Sequence, residues 1–452
     1  MTGSERVIRS SRIVLPDGIR PAAIVVRDGV ITEIADSTRS ASAEALDFEN
    51  SVVMSGIVDT HVHINEPGRA EWEGFETATM AAAAGGVTTL IEMPLNSIPA
   101  TTTLDAFRQK LASAQGKIFV DVGFWGGVVP GNRAELSRLH QQGVFGFKCF
   151  LVPSGVAEFE AVNEPDLRQA LPELATLDAL LLAHAELPGT IEQATRKVSN
   201  NDPCSYSTWL QSHPAAAEDQ AIELLVRLSK QYETRVHIVH LSSAAAIPMI
   251  RKAKATGAKL SVETCPHYLT ITAEEIPDGQ TQFKCAPPIR ESANQECLWD
   301  ALRDGTIDFV ATDHSPAPPQ MKCTDTGDYM RAWGGIASLQ LSLPLLWTSA
   351  HKRGFGIGDV ARWLCREPAR FAGLSRKGEI AVGRDADLVV WNPEQSFQVQ
   401  PEKMFFRHKL TPYSGRTLFG VVQSTLLRGE EIYSSGDFPS GRCGRVLLRG
   451  PA

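Results

Sequence analysis

The sequence predicts an α/β fold, a TIM-like (β/α)8 barrel plus a small β-sandwich domain formed by both termini. Between about residues 56 and 375, short apolar segments alternate with helical segments, which is the rhythm of parallel strands joined by crossover helices. Both ends of the chain are instead rich in short strands and tight turns. We therefore expect residues 1–55 and 376–452 to form one discontinuous β-domain and residues 56–375 to form the barrel.

Turn signals organise the two ends of the chain. Residues 22–26 and 30–34 are apolar segments around Asp28-Gly29, and Asp-Gly between two such segments is a strong hairpin signal. Residues 380–391 predict two strands around a turn, and residues 421–432 predict a further pair. We therefore expect both ends of the chain to consist of short strands joined by tight turns.

Helical segments separate the strands of the middle region, for example at 104–115, 217–231 and 244–255. The middle region is longer than the ~250 residues of a typical barrel, so insertions are expected. Candidates are residues 187–214 and 316–333. Loops at the mouth of a barrel usually shape the substrate pocket, and we expect these segments to do so.

Composition limits the partners. The 452 residues include 44 Lys and Arg against 52 Asp and Glu, a net charge of −8. A mildly acidic chain without basic clusters argues against nucleic acid or an anionic membrane and favours a small-molecule substrate. The eight cysteines form no CxxC pair and indicate reduced thiols in a cytoplasmic protein. We expect no signal peptide, because the first residues lack an apolar core and a cleavage site, and no apolar run approaches the roughly 18 residues of a membrane helix.

The most informative segment is GIVDTHVHINEPG at residues 56–68. It is an apolar strand that ends in His61 and His63, whose i, i+2 spacing directs both imidazoles to the same side. Two neutral imidazoles at a strand end suit a divalent metal such as zinc. The alternative, an ordinary pair of loop histidines, is disfavoured by the strand before them and the Asn-Glu-Pro-Gly after them.

Lys148 lies in the apolar segment 143–152, which reads as a buried parallel strand. An unpaired ammonium there costs several kcal/mol, so the site must neutralise it or use it. A neutral amine near cations can add carbon dioxide and become a carbamate with two metal-binding oxygens. The alternative is a lysine that reaches water at the strand end, and the strand alone leaves both open.

Polar residues close three more apolar segments. His184 follows Leu180-Leu181-Leu182-Ala183, His240 closes residues 236–240, and Asp313 closes residues 308–313. A (β/α)8 barrel builds its active site from the C-terminal ends of different strands. These side chains are therefore candidates for one common site.

These residues and the motifs around them resemble those of the cyclic amidohydrolases of the amidohydrolase superfamily, and among them the allantoinases. The resemblance covers nearly the whole length. The matching stretches are HVHINEPGR (61–69), AAAAGGVTTLIEMPLNSIPATT (81–102), GFKCFLVPSG (146–155), HAE (184–186), HIVHLSS (237–243), ETCPHYL (263–269), FKCAPPIR (283–290), ATDHSP (311–316) and AWGGIASLQ (332–340).

The resemblance implies a binuclear metal centre and a catalytic Asp313. Zinc is the default metal, with manganese, cobalt, nickel or iron as alternatives. It also implies a homotetramer or homodimer. The implied ligands are His61, His63 and Asp313 for one ion and His184 and His240 for the second, with Lys148 as N6-carboxylysine bridging them.

The implied substrate follows from two departures from related enzymes. Dihydroorotases carry an arginine where this chain has Asn65, and hydantoinases and dihydropyrimidinases carry a tyrosine shortly after the carboxylated lysine, which is absent from residues 148–155. A neutral hydantoin with a ureido arm fits both departures. The resemblance therefore implies hydrolysis of allantoin to allantoate in purine catabolism. The alternatives are a hydantoinase-like or dihydroorotase-like cyclic amidohydrolase, or a non-catalytic scaffold relative.

Substrate contacts can also be suggested from the resemblance. Trp333 is expected to form a pocket wall, with plain barrel packing as the alternative, and the two asparagines could instead hydrogen-bond loops. The suggested contact residues are Asn65, Asn96, Ser154, Ala286, Ser315 and Trp333.

Overall fold

A computed structural model describes residues 5–38 and 44–450 of the chain. Parts of the predicted β-domain, at 1–4, 39–43 and 451–452, lie outside the described residues, as does the start of the segment examined for a signal peptide.

The strands follow one another along the described residues in this order: β1 (Arg6–Leu15), β2 (Gly18–Arg27), β3 (Val30–Ala35), β4 (Glu44–Asp47), β5 (Val52–Ser55), β6 (Ile57–Val62), β7 (Val87–Glu92), β8 (Asp121–Phe124), β9 (Gly126–Gly127), β10 (Phe147–Phe150), β11 (Leu181–His184), β12 (Val236–Ile238), β13 (Leu260–Thr264), β14 (Phe309–Val310), β15 (Leu388–Gln398), β16 (Thr417–Leu427) and β17 (Glu430–Ser434).

The α-helices are α1 (Phe75–Ala84), α2 (Leu104–Ala114), α3 (Arg133–Gln141), α4 (Glu164–Thr176), α5 (Pro188–Lys197), α6 (Tyr206–Ser212), α7 (Ala215–Tyr232), α8 (Ile247–Ala255), α9 (Pro266–Thr270), α10 (Ser292–Arg303), α11 (Ser342–Lys352), α12 (Ile357–Ala361) and α13 (Glu367–Phe371). A π-helical turn, Arg362–Arg366, joins the last two.

The parallel strands β6 to β14 close into a ring. Strands β6, β7 and β8 pair in sequence, and β9 to β14 pair in sequence, with β8 and β9 forming two parts of one strand around Trp125. The ring closes where Val62 at the end of β6 bridges to His314, whose carbonyl accepts the His63 N–H at 2.8 Å. Counting β8 and β9 once, eight strands surround the interior, as the sequence predicts.

Strands from both ends of the chain form the second sheet, in the order β17-β16-β15-β5-β1-β2-β3, with β4 paired to β1. Strand β5 from the N-terminal part lies between β15 and β1. The predicted hairpin is present, with Asp28 and Gly29 both at positive φ (51° and 79°), as a turn of this kind requires. Apolar residues of both ends, among them Ile24 and Leu388, pack into one core of this β-domain.

Three local predictions need correction. Residues 380–387 contain no strand; Ile380 is buried in the β-domain core, and β15 begins only at Leu388. The helix expected at 244–255 starts with a single 3-10 turn before α8. The segment 187–214, expected as a loop, contains the short helices α5 and α6.

A buried charge cluster joins the barrel to the β-domain. The Lys377 ammonium donates to Asp121 at the start of β8, at 2.9 Å, and to Asp387 just before β15. Arg428 in the β16–β17 turn donates to the same Asp121 carboxylate. Burial lowers the pKa of Lys377, but the charges of Asp387 and Asp121 outweigh it and raise that pKa above its ordinary value. The ammonium therefore stays charged between two carboxylates.

Within the described residues, no helix combines the length and apolar character needed to span a bilayer.

Replacing Lys377 with methionine should destabilise the chain, because two buried carboxylates then lose their shared cation. Removal of one partner from a buried pair costs about 3–5 kcal/mol, and we expect a loss of free energy of unfolding in that range. Urea unfolding followed by circular dichroism measures it. Lys352→Met, at an exposed position at the end of α11, is the matched control and should change little. Equal stability of the two variants would contradict a stabilising role for the cluster.

Candidate metal centre

The polar residues predicted from strand ends meet at one mouth of the barrel. His61 lies in β6, Lys148 in β10, and His184 is the last residue of β11. His240 and Asp313 follow β12 and β14 by two and three residues. Because all these strands are parallel, their C-terminal ends open on the same side.

His61, His63 and Asp313 form a buried group whose ligand atoms all lie within 4.8 Å of one another. The Asp313 carboxylate oxygen Oδ1 is 3.1 Å from His61 Nε2 and 3.3 Å from His63 Nε2. The i, i+2 spacing thus places both imidazoles on the same side of the strand end, as the sequence predicts. A carboxylate between two imidazoles is a donor set suited to a divalent cation.

His184 and His240 lie beside this group. Their ring centroids are 4.6 Å apart, and the His240 ring is 5.4 Å from that of His61. Phe150 stacks on His184 at 4.6 Å, which fixes the plane of that imidazole. The second pair of predicted ligands is therefore contiguous with the first group.

Lys148 is fully buried in the same region. Its Nζ has no hydrogen-bond partner within the described residues and lies 5.0 Å from the centre of the Phe150 ring. Burial lowers the pKa of Lys148 to about 8. A larger fraction of this amine is therefore neutral at pH 7 than for an exposed lysine.

Burial and charge set the protonation of the histidines. Burial lowers the pKa of His63 to about 4 and that of His240 well below its usual value, so both are neutral at pH 7. Burial also lowers the pKa of His61, but the charges of Asp313 and Glu263 outweigh it and raise that pKa to about 9. Burial raises the pKa of Asp313, but the interaction with His61 outweighs this effect and keeps that pKa well below its usual value.

Two site residues have backbone conformations that the sequence did not indicate. His240 and Asp313 both adopt positive φ angles, 40° and 44°. For residues other than glycine this conformation is uncommon and clusters at functional sites. The chain turns sharply after the short strands β12 and β14, which directs both side chains into the mouth rather than along the strand.

Two glutamates support the predicted ligand histidines, and the sequence analysis gave neither a role. Glu263 lies within hydrogen-bonding distance of His61 Nδ1 and is 3.2 Å from His237 Nε2. Glu186 accepts from His184 Nε2 at 2.7 Å. A carboxylate on the far nitrogen of a ligand histidine fixes its tautomer and orientation. The signal was available, because both glutamates belong to quoted motifs, ETCPHYL and HAE.

The donor set fits a pair of divalent cations. Lys148 Nζ and His240 Nδ1 are buried polar atoms without a hydrogen-bond partner in the described part of the chain. Such atoms are costly unless something binds them. Imidazoles and a carboxylate with supporting glutamates are the usual surroundings of a metal in proteins.

A cavity of about 480 Å³ opens above these residues, within the size range of small-molecule sites. Its wall includes five of the suggested substrate contacts: Asn96, Ser154, Ala286, Ser315 and Trp333. The sixth, Asn65, is buried with φ 68° and lies outside the group of described residues that line the cavity. Asn96 Nδ2 lies 3.4 Å from His63 Nδ1, so it contacts a predicted ligand as well as the cavity.

The two long segments between barrel strands form much of the cavity wall. Trp209 and His213, from the region of α6, line one side with their rings 3.9 Å apart. Residues 331–335 line another side. The expectation that these segments reach the pocket agrees with this arrangement.

Comparisons with known proteins agree with this geometry. The Amidohydrolase family profile matches residues 52–432. The chain is 50% identical to an allantoinase from Streptomyces avermitilis, with 100% of both chains covered. It is 42% identical to an allantoinase from Arabidopsis thaliana (98% of this chain, 90% of the relative) and 43% identical to one from Saccharomyces cerevisiae (95% of each).

Solved structures give the same fold. The L-hydantoinase (dihydropyrimidinase) from Arthrobacter aurescens superposes with a TM-score of 0.93 at 30% identity, covering 99% of this chain and 100% of that one. The dihydropyrimidinase from Brevibacillus agri NCHU1002 gives 0.88 at 26% identity, with 98% of each chain covered. The predicted fold class is therefore confirmed. With six polar side chains from five strand ends at one mouth and a family profile that covers most of its length, the chain belongs to the amidohydrolase family.

Proposed function

We propose that this chain hydrolyses the hydantoin ring of allantoin to give allantoate. The observation that carries the proposal is the group of four histidines and Asp313 that lines a cavity of about 480 Å³, with the amine of Lys148 buried beside the histidines. The allantoinases among its relatives, at 42–50% identity, support this choice of substrate. Hydantoinase activity is the second candidate, and the similarity to the Arthrobacter L-hydantoinase supports it.

The proposed centre binds two divalent cations, zinc most readily. A pair of such ions supplies Lewis-acid polarisation of the scissile carbonyl and lowers the pKa of the attacking water. His61, His63 and Asp313 would hold one ion and His184 and His240 would hold the other, and Lys148, as its carbamate, would supply an anionic ligand to both.

Asp313 is the proposed proton carrier. Its carboxylate is ionised, because His61 holds its pKa well below the usual range although burial opposes this. It can therefore accept the proton of the attacking water on a carboxylate oxygen. The departing ring nitrogen must be protonated, since an amide anion is too poor a leaving group, and the same carboxyl group can deliver that proton.

Other groups orient the reacting parts. Glu263 binds Nδ1 of His61 and Glu186 binds Nε2 of His184, which leaves the opposite ring nitrogen of each histidine as the one that would hold a cation. The Trp333 ring lies 5.1 Å from the Trp72 ring, centre to centre, and Trp333 forms part of the cavity wall. The remaining proposed substrate contacts are Asn96, Ser154, Ala286 and Ser315, which all line the cavity, whereas Asn65 does not.

We further propose a homotetramer or homodimer in the cytoplasm. Eight free cysteines support a reducing compartment. The resemblance to cyclic amidohydrolases supports the oligomer.

Steady-state turnover on four substrates tests the proposed function. We expect the metal-loaded protein to prefer allantoin over hydantoin, dihydrouracil and dihydroorotate by at least about tenfold in kcat/KM, because the pocket accepts a neutral ring with a ureido arm. Metal content is measured in the same samples. Preference for dihydroorotate would contradict the argument from Asn65, and preference for hydantoin would favour the second candidate.

Asp313→Asn should abolish most turnover while the protein keeps most of its metal. Asparagine retains an oxygen ligand but cannot accept the proton, and loss of a general acid–base group lowers kcat by about 10²–10⁴-fold. Initial rates and elemental analysis measure the two effects. The matched control is Asp325→Asn at an exposed position, which should behave as wild type. Near-normal turnover of Asp313→Asn would exclude the proposed role.

Metal reconstitution should depend on carbon dioxide and on pH through Lys148. Only the neutral amine adds carbon dioxide, and burial lowers the pKa of this lysine to about 8, so the reactive fraction grows as pH rises towards that value. Metal-free protein given zinc and bicarbonate should therefore regain activity faster at pH 8 than at pH 6.5, and more slowly without bicarbonate.

Lys148→Ala is the control for this dependence. The variant should bind less metal, lose the bicarbonate effect and regain part of its activity with a small carboxylic acid such as propionate. Equal recovery of wild type with and without bicarbonate, from a preparation shown by mass spectrometry to carry unmodified Lys148, would count against the carbamate.

A further inference from the structure

Two buried lysines, Lys322 and the cavity-lining Lys284, have no part in the proposed chemistry. Lys284 and Lys322 are only 5% and 3% exposed. Neither forms an ion pair with a carboxylate within residues 5–38 and 44–450. Burial lowers the pKa of Lys284 to about 8 and that of Lys322 to about 7. Charged side chains are rarely buried without a partner, so their position calls for another kind of compensation.

That compensation comes from backbone carbonyls. Lys322 Nζ donates to the carbonyl oxygens of Trp333 and Gly335, both at 2.8 Å, and to that of Lys284 at 3.2 Å. Lys284 Nζ donates to the carbonyl oxygens of Ala332 at 2.6 Å and Met330 at 3.3 Å. The backbone carbonyls of four of the six residues from 330 to 335 therefore each accept a hydrogen bond from Lys284 or Lys322.

The segment held in this way is a continuous part of the cavity wall. Residues 331–335 all line the cavity, and they have no helix or strand hydrogen bonds of their own beyond the bridge at Ile336. Trp333 is followed by Gly334 and Gly335, so it supplies the large side chain of this part of the segment. Its ring packs closely on Gly155, where an added Cβ atom would lie 2.9 Å from it. The segment therefore packs against the loop that follows β10 while it also lines the cavity.

The same segment approaches the strand end that carries Asp313. A Cβ atom on Gly335 would lie 2.3 Å from the Ser315 carbonyl oxygen, so the two backbones are in close contact. The Gly335 N–H also donates to the Lys284 carbonyl at 2.9 Å. On the other side, Lys284 lies 4.0 Å from the centre of the Trp209 ring, which also lines the cavity. The two lysines therefore connect three parts of the wall.

We propose that Lys284 and Lys322 are positioning residues that hold residues 330–335 as the wall of the substrate cavity, and thereby set substrate affinity rather than the rate of the chemical step. The identity of the substrate rests on the proposed function, whereas the role of the lysines in holding the wall does not. Neither lysine is one of the proposed metal ligands. The lysines act through the backbone of the segment and through Trp333.

Lys322→Met is the first test, because methionine keeps the length and apolar stem of the side chain but removes all three donors. We expect KM for allantoin to rise by about tenfold or more while kcat stays within about threefold and the metal content is unchanged, which is the pattern of binding lost equally from the ground state and the transition state. Lys322→Arg keeps donors and should recover part of the affinity. Lys284→Met should show the same split between KM and kcat.

Proteolysis gives a second readout that does not depend on activity. Arg331 is an exposed residue within the segment, so trypsin can cut after it once the segment is released. We expect cleavage between Arg331 and Ala332, followed by mass spectrometry, to be several times faster in both Met variants. The matched control is Lys409→Met, which removes a lysine that also donates to two carbonyls, those of Met404 and Phe406, away from the cavity.

The outcomes separate the two proposals. Faster cleavage at Arg331 together with a selective rise in KM supports the positioning role. Unchanged cleavage and unchanged KM, or an equal fall of kcat and kcat/KM with loss of metal, would overturn it. If the wild-type protein does not hydrolyse allantoin, the proposed function fails, but the cleavage comparison among Lys322→Met, Lys284→Met and Lys409→Met still decides whether the lysines hold the wall.

Discussion

Closure of the parallel strands into a ring is the constraint on which the site depends. The bridge between Val62 and His314 brings the end of β6 against the segment that follows β14, although more than two hundred residues separate them. Without it, His61 and His63 would not meet Asp313. The same closure buries the imidazoles, the carboxylate and the Lys148 amine, and burial is the physical cause of the lowered pKa values of Lys148, His63 and His240.

Buried polar side chains need hydrogen-bond or charge partners, and different parts of the chain supply these partners in different ways. At the base of the cavity, Glu263 and Glu186 compensate two of the histidines, whereas Lys148 Nζ lacks a partner in the described residues. In the cavity wall, backbone carbonyls compensate Lys284 and Lys322. Polar groups compensated from within the chain hold structure, and the uncompensated amine is the one available for chemistry.

Much of this could be predicted from the sequence, because strand periodicity places residues on faces. The spacing of His61 and His63 and the strand-end positions of His184, His240 and Asp313 made these residues candidates for one common site. The apolar segment around Lys148 left the role of that lysine open until the family resemblance was considered. The positive φ angles of His240 and Asp313 could not be predicted, since they depend on where short strands end against their neighbours. The lysine contacts with residues 330–335 were equally hidden, because backbone acceptors leave no pattern in the sequence. The apolar pattern of residues 380–387 predicted a strand, but the structure has none there. Ile380 is instead buried in the core of the β-domain, and such tertiary packing can override an apolar sequence pattern.

The place of β5 between β15 and β1 has a consequence for biosynthesis. One edge of β5 pairs only with β15, which begins at Leu388, while the other pairs with β1 near the start of the chain. A ribosome adds about 5–20 residues per second, so that edge stays without its neighbour for tens of seconds after it leaves the exit tunnel. An open strand edge of this kind is a site for misassociation between nascent chains. The β-domain is therefore the last part of the molecule to be completed, and the part most exposed to aggregation while the barrel is being made.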